Sequence, residues 1–314
     1  MNASSRNLSS NSIPRLNLVR QRNKVWCISA IAIALAIAGL VFSSFNPSIG
    51  TPLKLGLDFT GGTQIKLDRE CNSKCQPIDT SIISDSLSNI TFNNDGKLST
   101  RNLSEVKVKF LDGSQTLVLR LPFLSASEGQ KVINATNKIA GPFKNGGQSI
   151  DTIGPTLGIQ LLKSSLISLF FAFAGISLYI SFRYDKIYSL LALIALAHDV
   201  VIVCGIFAWL GVLFSVEVDS LFAVSLLTIA GYSVNDTVVV FDRIRSQLRE
   251  KSSRTFADKI DYAVSSTLTR TLYTSGTTLL PLVALIFFGG STLFWFSISL
   301  SLGVIVGSWS SIAL

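Results

Sequence analysis

The chain has 314 residues, of which 48% are hydrophobic and only 15% are charged. Soluble domains contain about 25% charged residues, so the composition excludes a wholly soluble protein and indicates a membrane protein with an appended soluble part. The net charge of +8 does not indicate nucleic-acid binding, because the basic residues are concentrated in short segments beside apolar runs.

Six apolar segments are each long enough to cross a hydrocarbon core of ~30 Å, which takes roughly 20 helical residues. The predicted spans are Val25–Phe45, Ser164–Phe182, Ile187–Phe214, Leu221–Phe241, Leu272–Phe288 and Thr292–Leu314. Residues 1–24 form a basic tail, and residues 46–163 form a soluble domain between the first and second spans. Residues 164–314 hold the other five spans, with a basic loop at 242–270.

The distribution of lysine and arginine predicts the orientation. Residues 1–24 contain five basic residues and no acidic one, and residues 242–270 contain seven basic residues against four acidic ones. By the positive-inside rule, both termini lie in the cytoplasm and residues 46–163 lie outside. We expect a bacterial-type inner membrane and leave a thylakoid-type membrane open, since the charge pattern does not identify the membrane.

The soluble domain has the pattern of a small α+β fold. The predicted elements are a strand over Lys54–Leu67 broken by Gly61-Gly62, a helix over Ile78–Ile90, a hairpin of Val106–Leu111 and Leu117–Leu121 around Asp112-Gly113, a helix over Ser127–Ile139, and a strand over Ser149–Ile153. Their order, β-α-β-β-α-β, is that of a ferredoxin-like domain. This fold serves many purposes, so it predicts no specific function.

Two cysteines, Cys71 and Cys75, lie four residues apart in this domain. An oxidising exterior allows a disulfide between them, and the sequence leaves the bridged and the free states open. Two thiols alone make a poor zinc site, so we predict no metal. The sequence also contains no nucleotide-binding motif, which argues against an ATP-hydrolysing enzyme, and we predict no cofactor.

Ionisable residues inside the apolar segments are the strongest functional signal. Asp236 lies in the fourth span, His198 and Asp199 lie roughly 17 Å into the third, and Arg270 precedes the fifth. A charge at membrane depth costs about 2.5–3.5 kcal/mol on insertion scales, so such residues usually serve transport. We predict a proton relay in which Asp236 and Asp199 carry protons while Arg270 stays charged. The residues also allow structural hydrogen bonds for the acids and interfacial anchoring for Arg270, and for His198 we favour a packed polar side chain.

Three motifs resemble the SecD/SecF family of export proteins. They are Leu-Asp-Phe-Thr-Gly-Gly-Thr at 57–63, Gly-Tyr-Ser-Val-Asn-Asp-Thr-Val-Val-Val-Phe-Asp-Arg-Ile-Arg at 231–245, and Arg-Thr-Leu-Tyr-Thr-Ser-Gly-Thr-Thr at 270–278. The second motif resembles the SecF members specifically, and the six-span layout resembles half of a resistance–nodulation–division transporter.

The resemblance implies a subunit that pairs with a SecD-like membrane protein, works with the Sec translocon, and uses the proton gradient to help exported polypeptides across the membrane. It assigns Asp236 and Arg270 to proton conduction. Asn235 belongs to the same motif, and Asp58, Gly61 and Gly62 are expected to be structural. Small residues in the spans are expected to allow close helix packing: Gly231, Ser233, Gly303 and Gly307.

Two other functions stay open at this point. The chain could be half of a proton-driven small-molecule exporter, although about 115 residues between two spans is a small outside domain for that task. It could also be a passive scaffold of the translocon. Dependence on the proton gradient separates the scaffold from the motor.

Overall fold

The computed structural model describes residues 18–71, 75–76, 78–88, 90, 92–94, 97–99, 106–111 and 114–313. The chain divides into two compact units: Leu55–Ser164, here the α/β unit, and the rest, here the helical unit. The predicted hairpin turn at Asp112-Gly113 and most of the basic tail lie outside the described residues.

The described residues from Leu55 to Ile153 of the α/β unit form one four-stranded sheet, one two-stranded sheet and three helices. In chain order these are α2 (Leu57–Thr60), β1 (Gly62–Arg69), α3 (Thr80–Ser88), β2 (Phe92–Asn94), β3 (Lys97–Ser99), β4 (Lys107–Leu111), β5 (Thr116–Leu121), α4 (Ala126–Ala140) and β6 (Phe143–Ile153).

The main sheet has the strand order β4-β5-β1-β6, and every neighbouring pair is antiparallel. Together with α3 and α4, this confirms the predicted β-α-β-β-α-β arrangement. Alternate residues of β1 and β5 point into the core, where Ile65, Leu67, Leu117 and Leu119 pack beneath Ile83 of α3 and Val132 of α4. The separate hairpin of β2 and β3 was not predicted.

The start of the first predicted strand was wrong. Residues Leu57–Thr60 form a short helix, and the strand begins only at Gly62. Gly61 and Gly62 have φ angles of +67° and +120°, which residues with a Cβ atom rarely adopt. A Cβ on Gly62 would also lie 2.8 Å from the carbonyl oxygen of Leu121. The glycine pair therefore makes the sharp change of direction from helix to strand.

Helix α4 begins with a capping box formed by Ser125 and Glu128. The Ser125 hydroxyl accepts a hydrogen bond from the Glu128 backbone N–H, and the Glu128 carboxylate accepts one from the Ser125 backbone N–H at 2.8 Å. This reciprocal pair satisfies two N–H groups that the helix itself cannot. In the same unit, Cys71 and Cys75 are joined by a disulfide, with Cα atoms 5.3 Å apart.

The described residues include six helices that are long and apolar enough to cross a membrane, which confirms the predicted bundle. They are α1 (Leu18–Phe45), α5 (Pro155–Arg183), α6 (Lys186–Phe214), α7 (Ser220–Arg249), α8 (Phe256–Phe288) and α9 (Gly290–Ala313). Several of these helices are longer than the apolar segments predicted for them. Their helical backbone hydrogen bonds continue into polar residues beyond the apolar segment. The basic segment 242–270, predicted as a loop, is helical except at residues 250–255.

Helices α6 and α7 are the most enclosed of the six. Half of the residues in the 18-residue apolar stretch of each are buried, against 6% of those in the corresponding stretch of α5. Helix α9 packs against α6, α7 and α8, and α1 packs mainly against α6. Close approach of α9 to α7 depends on Gly303, where a Cβ would collide with the Ile229 side chain. This confirms the packing role expected of Gly303.

Candidate functional site

Asp199 lies at a point where three helices meet. Its side chain, on α6, is fully buried. One carboxylate oxygen, Oδ2, accepts hydrogen bonds from the hydroxyls of Ser233 on α7 at 2.5 Å and Ser310 on α9 at 2.8 Å. The other, Oδ1, lies 2.9 Å from Nδ1 of His198. The carboxylate thus links α6, α7 and α9, and both of its oxygens are occupied as acceptors.

A glycine on α9 makes room for this contact. A Cβ at Gly307 would lie 3.3 Å from the Cβ of Ser233 and 3.5 Å from Oδ2 of Asp199. A larger side chain there would push α9 away from the carboxylate and lengthen the hydrogen bond from Ser310. The Gly-x-x-x-Gly spacing of Gly303 and Gly307 therefore serves both helix packing and the polar cluster, as expected for small residues in membrane helices.

Asp236 lies three residues after Ser233 on α7, about 4.5 Å further along the helix axis. Its side chain is 3% exposed, and its Oδ2 atom has no hydrogen-bond partner. Burying a charged oxygen without a partner is costly. Asp236 therefore differs from Asp199, both of whose oxygens have hydrogen-bond partners.

Arg270 lies on α8 and is exposed. Arg270 and Asp236 form none of the ion pairs found among the described residues. An arginine stays protonated at all ordinary pH values, so Arg270 is a fixed positive charge.

A second polar cluster was missed by the sequence analysis. The phenol of Tyr232 on α7 donates to the hydroxyl of Ser275 on α8 at 3.0 Å, and Ser275 lies 2.5 Å from the hydroxyl of Ser308 on α9. Another serine pair, Ser225 and Ser299, joins α7 to α9. Serine is common in membrane helices, and only the high serine content of α9 could have pointed to these contacts.

Gly231 makes no close helix contact among the described residues of this chain. A Cβ at this position would meet no atom within 4 Å, because Gly231 lies on the exposed side of α7. Asn235, one turn further on, is exposed on the same side. An amide exposed within a membrane-spanning segment is unfavourable in lipid, since nothing there can hydrogen-bond to it.

The remaining predicted residues lie in the α/β unit. Asp58 is in the first turn of α2, and Gly61 and Gly62 follow that helix. Among the described residues, no group of three or more His, Cys, Asp or Glu side chains could hold a metal ion.

Family models match most of the chain. The model described as "Protein export membrane protein SecD/SecF, C-terminal" matches residues 132–314, and that of the SecD/SecF GG motif matches residues 48–71. The second match includes Gly61 and Gly62, and the first includes every ionisable residue of the candidate relay.

Individual proteins agree with the family models. Protein translocase subunit SecF of Prochlorococcus marinus is 58% identical over 298 residues, which cover 95% of this chain and 92% of that protein. The SecF of Synechocystis is 36% identical over 301 residues, covering 95% and 91%.

The crystal structure of SecDF, a translocon-associated membrane protein from Thermus thermophilus, superposes with a TM-score of 0.75 at 29% identity. The match covers 96% of this chain but only 37% of the SecDF chain. The family models, the SecF relatives and the fold therefore confirm the resemblance in the motifs: the chain belongs to the SecD/SecF family of protein-export membrane proteins, in its SecF branch.

Proposed function

We propose that the chain is a SecF-type subunit of the Sec protein-export machinery and that it uses the proton gradient to help move polypeptides across the membrane. The family supports the export role, since its SecF relatives are translocase subunits. The relay consists of Asp236 and the Asp199 cluster, with Arg270 as a fixed positive charge. The chain acts as a transport component and catalyses no reaction of its own.

The observation that carries the coupling proposal is the buried, unpartnered Oδ2 atom of Asp236. A structural aspartate in the membrane would have its oxygens satisfied by neighbours, as those of Asp199 are. The free oxygen of Asp236, one turn from Ser233, suits a group that alternates between a charged and a neutral form.

A SecD-like partner is part of this proposal. Asn235 and Arg270 are both exposed on membrane helices, and both would be poorly placed against lipid. A second helical bundle with polar groups facing them would satisfy both side chains. The SecDF chain of Thermus thermophilus is longer than this one, which is consistent with a partner that supplies the rest of the proton path.

Reconstitution tests the coupling proposal. We expect the purified chain alone in liposomes to conduct protons poorly, and addition of the SecD-like partner to raise the flux at least severalfold. The measurement is a pH-sensitive dye trapped in the lumen, with Asp236→Asn expected to abolish the increase. Strong flux from the single chain would show that the partner is not part of the path. No flux with both subunits would favour a passive scaffold.

The orientation of the chain gives a separate prediction. We propose a bacterial-type inner membrane, with residues 46–163 outside and both termini in the cytoplasm. In a background where Cys27 and Cys204 are replaced by serine, a cysteine at the exposed position Asn145 is expected to react with a membrane-impermeant maleimide in intact cells. A cysteine at Lys251, also exposed, should react only after lysis, and the reverse result would contradict the orientation.

A further inference from the structure

We infer that His198 is the proton-carrying residue of the third membrane helix, and that Asp199 is its positioning residue and counter-charge. The inference rests on the proposed proton-coupled function and names the atom in α6 at which the proton is held: Nε2 of His198. It reverses the roles that sequence reasoning gave to these two neighbours.

The buried unpartnered atoms identify the position. Five buried side-chain nitrogen or oxygen atoms among the described residues have no hydrogen-bond partner: Ser29 Oγ, His198 Nε2, Asp236 Oδ2, Ser297 Oγ and Ser301 Oγ. Three are serine hydroxyls, which do not titrate. The other two belong to adjacent helices and are atoms that can gain and lose a proton. His198 is 4% exposed, so Nε2 is not satisfied by bulk water.

Hydrogen-bond accounting assigns the proton to the histidine. Oδ2 of Asp199 accepts from two serine hydroxyls, and Oδ1 lies 2.9 Å from Nδ1 of His198. We assign the ionised form to Asp199, because that form can accept all three hydrogen bonds. Because a carboxylate can only accept, Nδ1 of His198 carries a hydrogen, and Nε2 of the neutral ring has a lone pair that nothing occupies.

The same arrangement makes a protonated ring tolerable. When Nε2 binds a proton, the imidazolium charge lies beside the Asp199 carboxylate, which stays in place through Ser233 and Ser310. A carboxylate that orients Nδ1–H and stabilises the imidazolium is the usual way to make Nε2 a working base. The step forms one Nε2–H bond and breaks the bond of that proton to its donor, a water molecule or the Asp236 carboxyl. Release is the reverse.

Besides Asp199, Asp236 is the one carboxylic acid within the apolar parts of α6 and of the described helices around it. Helix α9 contributes none, and α7 contributes Tyr232 and Asp236 within its apolar part. The other ionisable side chains are Arg20, Arg22, Lys24 and Cys27 of α1, Lys163, Tyr179 and Arg183 of α5, Asp242, Arg243, Arg245 and Arg249 of α7, and Lys186, Tyr188 and Cys204 of α6 itself. Asp236 is thus the acid with which His198 would exchange protons.

The chain contains a single histidine, which permits a direct test. The protein, purified without a histidine tag and labelled with ¹⁵N-histidine in lipid nanodiscs, gives one imidazole to follow by NMR. We expect Nε2 to carry no hydrogen in alkaline buffer and to gain one on acidification, while Nδ1 keeps its hydrogen throughout. An Nε2 that stays unprotonated on acidification, or an Nδ1 that loses its hydrogen, would overturn the assignment.

Asp199→Asn tests the positioning role with the same readout. The amide cannot balance an imidazolium charge, so we expect Nε2 to stay unprotonated on acidification in this variant. An Nε2 signal that changes as it does in the unaltered chain would show that Asp199 does not act on His198.

Export measurements complete the test. Asparagine places an N–H₂ group near the position of Nδ1, so His198→Asn keeps a donor to Asp199 but has no titratable nitrogen. We expect it to lose at least nine-tenths of gradient-dependent export at equal protein level. The matched control is Ser297→Ala on α9, which removes a buried hydroxyl without a partner and should behave as the unaltered chain.

The two proposals fail in different ways. Wild-type export in His198→Asn, combined with a defect in Asp236→Asn, overturns only the role of His198. Wild-type export in Asp236→Asn overturns the proton-coupled function itself.

Discussion

Replacing Asp236 by asparagine is expected to remove at least nine-tenths of the gradient-dependent part of protein export. Asparagine has nearly the shape of aspartate, but its side-chain amide does not bind or release a proton near neutral pH. The change also removes a buried charged oxygen that has no hydrogen-bond partner, so it should not reduce the amount of folded protein. The measurement is translocation of a secretory protein into inverted membrane vesicles, with and without a proton gradient.

An aspartate-to-asparagine change elsewhere on α7, Asp242→Asn, provides the control. Asp242 lies near the cytoplasmic end predicted for α7 and pairs with Arg183 at 3.5 Å, where both side chains are about half exposed. Exposed pairs contribute about 0–1 kcal/mol, so Asp242→Asn is expected to leave export unchanged. If Asp236→Asn also exported normally at normal protein level, the relay would be wrong and a scaffold role would be favoured.

The effect of substituting Arg270 on export should depend on the charge of the new side chain rather than on its shape. Because the structure has no ion pair between Arg270 and Asp236, a lysine at position 270 keeps the relevant feature, its positive charge. We therefore expect Arg270→Lys to be milder than Arg270→Gln in the same vesicle assay. Equal, complete loss in both variants would instead indicate a geometric contact that only a guanidinium can make.

Hydropathy and periodicity were sufficient for much of the fold. The membrane helices follow from the length of the apolar segments, which depends on bilayer thickness and not on tertiary detail. The β-α-β-β-α-β order follows from alternation in β1 and β5 and from the apolar spacing of α3 and α4. The strand before Gly61 was misjudged because Leu57–Thr60 is too short for periodicity to distinguish a helical turn from a strand.

The candidate site was predictable only in part. Asp199 and Asp236 are detectable because an acid in an apolar segment is rare. Their partners are not, since Ser310 and Ser233 become donors to Asp199 only through the rotation and crossing of α6, α7 and α9. For the same reason Gly231 looked like a packing residue although it lies on an exposed side of α7, and His198 looked like a packed polar group although Nε2 has no partner.

The largest expected stability effect lies at Arg69, which the sequence analysis did not single out. Arg69 is 8% exposed, and its guanidinium donates to three backbone carbonyls that belong to separate segments of the α/β unit. They are Ala140 at 3.1 Å, Gln76 at 2.8 Å and Ser114 at 3.2 Å. Ala140 is the last residue of α4, so the positive charge also lies at the negative end of the helix dipole.

Arg69→Met keeps most of the apolar stem but leaves three carbonyl oxygens without their donor. Each unsatisfied buried acceptor costs about 1–3 kcal/mol. Local relaxation and entering water reduce the total for the three carbonyls, so we expect the free energy of unfolding to fall by roughly 2–4 kcal/mol. Hydrogen exchange of the β1 and β5 amides in the intact protein should then be roughly 30- to 1,000-fold faster, at 1.36 kcal/mol per tenfold change. Lys66→Met removes a cation from the same strand. It should change the free energy of unfolding by no more than about 0.5 kcal/mol. Equal protection in both variants would show that the three carbonyls do not depend on Arg69.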